Sequence, residues 1–409
     1  MALRLLRRTG RAGRFAQILA VTVALGASTG QAAAATPSPS PSASELRLPV
    51  MPARLDGTAP TCTQGSGTTM TQVPWAQRLL GLSRAGLFTD GSGITVGVVD
   101  TGVSTRADVL SGRVTVQSGA GSDCVGHGTF VAGLIAAAPQ SGIGFTGAAP
   151  GVRIFAARGT DAIGDPDAST AARGIRAAVD AGCRVVTVSV ALPRNTPALA
   201  SAVRYAAAHD VLLVAPAVPD GTDNGQQQTA APVSFWPAAE RSVLSVVDFG
   251  ADGSRPDGAF QPADVDLAAP GDQVSSIGPT GHGYFVGSGP SFAAAYVAGA
   301  AALVRAYHPQ LTAEQTAERL RRTGYPGDVP RLDVNSAITG VLPARVPTAG
   351  PSSAGFRALP AAHDGGVVRS AVSVAAGAAG LALVLGAAAA ARRRRDQGGR
   401  GRGVGASAA

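Results

Sequence analysis

Val96-Gly97-Val98-Val99-Asp100-Thr101-Gly102 is an apolar, β-branched run that stops on a carboxylate and turns at a glycine. Read with Ile94 and Thr95, it predicts a short strand buried on both faces that delivers Asp100 at its carboxyl end. Outward from it, the pattern alternates. Gly128 to Ala138 and Ser169 to Ala181 read as helices, Val185 to Val190 as a strand, and Pro197 to Ala208 as a helix. Val211 to Val214 and Val243 to Val247 are further strands, and Ser291 to Tyr307 and Ala313 to Arg322 close the series as helices, with Thr312 and Gln315 placed for a capping box. Continuous apolar strands separated by helix-length segments predict an α/β fold, a mostly parallel sheet covered by helices on both faces.

Two more segments put a reactive side chain at an element boundary. Gly126-His127-Gly128-Thr129 surrounds an imidazole with small residues at a helix start, and Gly289-Pro290-Ser291-Phe292-Ala293-Ala294 does the same for a hydroxyl. Ligands of open α/β sheets bind beyond the carboxyl ends of the strands, where Asp100 lies. A serine at a helix N-terminus profits from the positive end of the dipole as negative charge develops beside it. Taken singly, an Asp at a strand end or a Ser at a helix start is usually a cap. Three such contexts in one order argue for nucleophilic catalysis. The order Ser, acid, His of an α/β-hydrolase esterase is excluded, because Asp100 and His127 precede Ser291.

These segments resemble the subtilisin-like serine proteases. The Asp-Thr-Gly, His-Gly-Thr and Gly-Thr-Ser-(Met/Phe)-Ala-Ala-Pro motifs of that family fall on Asp100, His127 and Ser291, with Pro290 in place of Thr and Ala295 in place of Pro. Asp266 to Gly271 matches a further family segment, and the likeness runs from about Pro74 to Ala337. The stretch around Trp75, Cys124 ahead of the histidine motif and the C-terminal end resemble the mycosins, membrane-anchored subtilases of type VII secretion. The resemblance implies a subtilisin-like three-layer fold with a C-terminal transmembrane helix. It also implies a peptide or protein substrate, no cofactor and no metal, and type VII secretion membrane components as partners. Ser291 would attack the peptide carbonyl, His127 would move the proton and Asp100 would orient the imidazole. The substrate would lie extended along Thr187 to Ala191 and the strand ending near Ala215, with Ser189, Ala191 and Ala215 as the substrate-binding residues.

The likeness breaks in one place. The family supplies an asparagine amide to the oxyanion after Ala-Ala-Gly, and here the stretch reads Val214-Ala215-Pro216-Ala217-Val218-Pro219-Asp220. Strand length puts Pro219 or Asp220 at that position, and Asn224 is the third candidate. Proline has no donor, an ionised Asp220 would repel the oxyanion, and a protonated one would serve. Loss of one such donor costs about 10² to 10³ in turnover, so the alternative to a protease is a weak or inactive subtilase that stabilises a secretion complex.

Composition and the two ends complete the picture. The net charge of +8 comes from the ends: of 34 basic residues, all arginine, five lie between Arg4 and Arg14 and six between Arg392 and Arg402. The remainder holds 23 basic against 25 acidic residues, which excludes the electrostatic footprint of a nucleic-acid binder. Residues 1–35 read as a secretory signal, 36–60 as a Pro/Ser-rich linker and N-terminal extension, 61–340 as the catalytic domain and 341–370 as a linker. Residues 371–391 carry no charge and would span about 31 Å as a helix, against a hydrocarbon core of roughly 30 Å. Arg392 to Arg395 follow at once, placing the tail 392–409 in the cytoplasm and the domain outside. Of three cysteines, Cys62 and Cys124 are expected to pair, leaving Cys183 free beside an apolar run. His209, His282, His308 and His363 have no metal-ligand spacing, and Gly142 to Gly147 reads as a plain turn.

Overall fold

The computed structural model describes residues 48–57, 61–221 and 232–342. Seven strands form one parallel sheet in the order β2-β3-β1-β4-β5-β6-β7. They are β1 (Thr95–Asp100), β2 (Val114–Val116), β3 (Arg153–Arg158), β4 (Val185–Val188), β5 (Leu212–Pro216), β6 (Val243–Phe249) and β7 (Leu267–Pro270). An antiparallel hairpin follows from β8 (Val274–Ile277) and β9 (Tyr284–Gly287). The helices are α1 (Trp75–Leu79), α2 (Leu82–Ala85), α3 (His127–Ala136), α4 (Ala168–Asp180), α5 (Pro197–Ala208), α6 (Pro290–Tyr307), α7 (Ala313–Thr323) and α8 (Val334–Thr339).

The strands are apolar on both faces because each face meets helices. Val96 and Val98 of β1, Val185 of β4 and Leu212 and Val214 of β5 point into a core shared with α3 and α6. Val99, Val186, Val188, Leu213 and Ala215 point the other way, into a second core under α4 and α5. The period of two in β5 thus assigns successive residues to opposite layers. Helix α6 is buried from Pro290 to Arg305. Its alanines let it lie close against the sheet, which is why so Ala-rich a segment is a core element here. Side-chain caps open four helices: Asp167 accepts from the Thr170 amide at α4, Thr196 from Leu199 at α5, Asp333 from Ser336 at α8, and Thr312 with Gln315 forms the expected capping box at α7.

The expected strands and helices are present with boundaries shifted by one or two residues, and the strand expected to reach Val190 ends at Val188. β2, β3, β7 and the hairpin were not anticipated. β3 carries arginines at both ends, β2 is three residues long, and Leu-Ala-Ala-Pro of β7 has little intrinsic strand character. Within the stretch read as linker and N-terminal extension, residues 48–57 are bound onto the body. Val286 donates to Pro49 O and Met51 to Val286 O at 2.9 and 2.8 Å, so this segment adds a parallel bridge to β9. Leu55 then donates to Ile163 O at 2.8 Å. The signal and transmembrane segments expected at 1–35 and 371–391 lie outside the described residues. Among the described residues no helix is long and apolar enough to cross a membrane.

The strand order places the site. From β1 the chain leaves to β2 and β3 on one side and continues through β4 to β7 on the other. The topological switch point is therefore beside the carboxyl end of β1, where Asp100 stands.

Candidate active site

Asp100 is the last residue of β1, His127 the first of α3 and Ser291 the second of α6. All three side chains are buried. His127 Nδ1 lies 2.8 and 3.0 Å from the two carboxyl oxygens of Asp100, and its Nε2 lies 3.0 Å from Ser291 Oγ. The Thr101 amide donates to Asp100 Oδ1 at 2.6 Å and fixes the carboxyl rotamer. Phe292, next to the serine, places its ring 4.9 Å from the imidazole and 4.5 Å from Phe130, which supports the histidine from below.

Glycines flank His127 for steric reasons. Gly126 has φ +97°, and a Cβ there would meet Met51 Sδ at 2.9 Å, so the N-terminal segment packs on the entrance to α3. A Cβ at Gly128 would overlap the Gly102 carbonyl and sit 3.0 Å from Asp100 Cβ. Only glycine lets α3 approach the end of β1 closely enough for the Asp100 to His127 contact.

A residue that motif reading passed over organises this entrance. Asp123 is buried and accepts from Thr101 Oγ1 at 2.8 Å, the Gly126 amide at 2.7 Å, and the Thr129 amide and hydroxyl at 2.8 and 2.7 Å. Thr101 Oγ1 in turn accepts from the Gly128 amide at 2.9 Å. One carboxylate thus ties the turn after β1 to the first turn of α3. Its signal in the sequence was an acid four residues before a histidine at a helix start, the place of an N-terminal anion. Burial pushes the Asp123 carboxyl above its ordinary value, against donors that favour the ionised form.

The expected pair is formed: Cys62 and Cys124 are bridged, three residues ahead of His127. Thr63 adds a hydrogen bond from its amide to Cys124 O at 2.9 Å and from its hydroxyl to Val125 O at 2.6 Å. Cys183 is free and buried, and burial raises its thiol to about 12, which makes it inert at neutral pH.

Among the oxyanion candidates, Asp220 reaches the site, Pro219 has no donor to offer, and Asn224 lies outside the described residues. Asp220 Oδ1 accepts from the Ser291 amide at 3.0 Å, and Oδ2 accepts from Ser291 Oγ at 2.6 Å and stands 3.1 Å from His127 Nε2. Gly289 gives it room, since a Cβ at that position would collide with the Asp220 carboxyl. His127 is therefore held between two carboxyl groups. Burial disfavours its charged form, but the charge and hydrogen bond of Asp100 and then those of Asp220 outweigh this, and the imidazole titrates well above its ordinary value. Burial likewise raises Asp100, and the His127 charge and hydrogen bond reverse the sign, leaving the carboxyl below its ordinary value.

The three residues expected to bind substrate are placed differently from one another. The Ser189 amide donates to Val99 O at 3.1 Å, beside the end of β1. Ala191 packs with Val218 and Phe235 in a small apolar cluster next to Asp220. The Ala215 side chain is wholly buried within the sheet and is not available to a ligand. Among the described residues no group of three His, Cys, Asp or Glu side chains is arranged to hold a metal ion.

A serine, an imidazole and a carboxylate in hydrogen-bonded sequence at the switch point of a parallel sheet are the parts of an acyl-transfer site. The chain is also similar to known proteins over most of its length. The model of the subtilase family matches residues 91–349. Mycosin-1 of Mycobacterium tuberculosis is 32% identical over 367 residues, covering 74% of this chain and 80% of the relative. The crystal structure of MycP1 from Mycobacterium smegmatis superposes with a TM-score of 0.60 at 28% identity, covering 76% of this chain and 95% of that one. A chain of an intact ESX-5 inner membrane complex superposes with a TM-score of 0.59 at 28% identity, covering 85% and 99%. The chain belongs to the subtilase family of serine endopeptidases and is a relative of the mycosins of type VII secretion.

Proposed function

We propose that this protein is an extracytoplasmic, membrane-anchored endopeptidase in which Ser291 is the nucleophile, His127 the general base and acid, and Asp100 the group that orients the imidazole. The observation that carries the reading is the hydrogen-bonded chain from Asp100 through both ring nitrogens of His127 to Ser291 Oγ, at 2.8 and 3.0 Å. Ser291 forms the acyl bond while its proton passes to Nε2, and the same proton later goes to the leaving amine. The Ser291 amide and Asp220 are the groups nearest the oxygen of the tetrahedral intermediate. A peptide would lie beside Ser189 and Ala191, its side chain meeting the apolar cluster of Ala191, Val218 and Phe235.

Residues 1–35 would export the domain, 371–391 would hold it at the membrane and 392–409 would remain in the cytoplasm. The mycosin relationship and the superposition on a chain of the ESX-5 inner membrane complex support a place among type VII secretion components. A second reading, a scaffold with little activity, draws on the carboxylate of Asp220 where a donor is needed.

A fluorophosphonate probe separates the two. Covalent labelling of the full-length chain that disappears in Ser291→Ala supports the peptidase. Absence of labelling in folded wild-type protein refutes it and leaves the scaffold.

A further inference from the structure

Asp220 is too close to the reacting atoms to be a passive replacement for an amide. It receives the Ser291 amide, the Ser291 hydroxyl and His127 Nε2, three contacts within 3.1 Å. With an ionised Asp220, this is the arrangement of an imidazolium between two carboxylates: His127 donates through Nδ1 to Asp100 and through Nε2 to Asp220. A histidine in that state cannot accept a proton from Ser291. An ionised Asp220 cannot donate to an oxyanion either.

Both defects are removed by moving one proton. We infer that His127 and Asp220 share a single proton, and that the catalytically competent form is the tautomer in which Asp220 is the neutral acid and His127 the neutral base. In that tautomer the Nε2 lone pair accepts the Ser291 proton as Oγ bonds to the carbonyl carbon. The carbonyl π pair moves onto its oxygen, which receives the Asp220 O–H and the Ser291 N–H. No proton enters or leaves the site when the tautomers exchange, so the charge total is unchanged. The inference rests on the assignment of Ser291 and His127 as nucleophile and base.

Charged groups face the pair of His127 and Asp220 from several elements. Asp100 faces the other nitrogen of His127, and Asp248 at the end of β6 lies within charge range of Asp220. The positive groups on this side are the N-terminus of α6, which points its Ser291 amide at Asp220, and Arg255, which lies 3.7 Å from Asp248.

Gain of a second proton leaves an imidazolium with no basic site. Loss of the shared proton leaves a neutral histidine opposite a carboxylate that repels the oxyanion. Activity is thus confined to the window in which one proton is held, and it falls tenfold per pH unit on the alkaline side. A serine protease limited only by its histidine does the opposite, rising with pH to a plateau.

The test is the rate of fluorophosphonate labelling of the full-length chain against pH, in wild type, Asp220→Asn and Ser291→Ala. The expected result is a bell with an alkaline limb in the wild type. Asp220→Asn should give a rising curve with a plateau, exceeding wild type by about 10² in the alkaline range, the worth of one oxyanion donor. A wild-type rate that rises to an alkaline plateau overturns the shared proton, and this result needs no variant. Identical profiles for wild type and Asp220→Asn overturn it as well. Undiminished labelling of Ser291→Ala, or no labelling of folded Asp220→Asn at any pH, refutes the underlying triad and is distinguishable from both.

Discussion

Asp248 is a buried acid that works against the fold, and replacing it should show by how much. Its side chain is 4% exposed, Oδ1 has no hydrogen-bond partner, and the nearest cation, Arg255, stands off at 3.7 Å. Burial raises the carboxyl to about 6 from 3.8, with the Arg255 charge offsetting part of the rise and Asp220 and Asp272 adding to it. Because the folded form holds its proton to higher pH than the unfolded chain, this group's contribution to stability is greatest below about pH 4 and is lost as pH rises to about 6. Above that the loss is complete. Roughly two units at about 1.4 kcal/mol each put it near 3 kcal/mol. Asp248→Asn keeps the shape without the charge, so it should stabilise the protein by about 3 kcal/mol at pH 7 and change little at pH 3.5. Urea unfolding at both pH values, followed by the fluorescence of Trp75 and Trp236, measures the difference. Parallel pH dependence in wild type and Asp248→Asn would show that the carboxyl ionises without penalty and would refute the reasoning.

The Cys62 to Cys124 bridge closes a loop spanning 62 residues, for which chain entropy gives about 4 kcal/mol. The double variant Cys62→Ala, Cys124→Ala should lose up to that amount, and reductant should shift the urea midpoint of the wild type alone. Asp123→Asn replaces an acceptor of four hydrogen bonds by a group that carries two donors of its own, and should cost roughly 2 to 4 kcal/mol. By loosening the start of α3 it should also slow labelling of Ser291. A variant with wild-type stability and rate would remove Asp123 from any positioning role.

The catalytic motifs and the α/β alternation were legible because each leaves a local mark. β1, β4 and β5 are runs of branched apolar residues, and Asp100, His127 and Ser291 sit among small residues that only a close approach requires. β3 and β7 were hidden because their strand character comes from neighbours rather than from their own residues: β7 is paired with β6 from Leu267 to Pro270. Asp123 leaves only a weak local mark, an acid ahead of a helix start, because its partners Thr101 and Thr129 lie on two elements whose meeting is a tertiary fact. Sequence left Pro219, Asp220 and Asn224 open as oxyanion groups. Bringing Asp220 rather than Pro219 to the end of α6 depends on the length of β5 and the turn that follows it, and Asn224 lies outside the described residues. Ala215 shows the converse limit: alternation along β5 sends its side chain into the core, away from any ligand.

The position of α6 in the chain has a consequence for biosynthesis. His127 and Ser291 are separated by 164 residues, and α6 packs against β1, β4, β5, β6, β7 and α3. At about 5 to 20 residues per second, Ser291 is made roughly 8 to 33 s after the histidine. Until then the earlier strands and α3 lack the helix around which the larger core forms. On the proposed assignment, a chain interrupted before residue 291 carries acid and base with no hydroxyl to activate. With the proposed roles, the order of synthesis would keep the nascent polypeptide from cutting itself or its handlers during that interval.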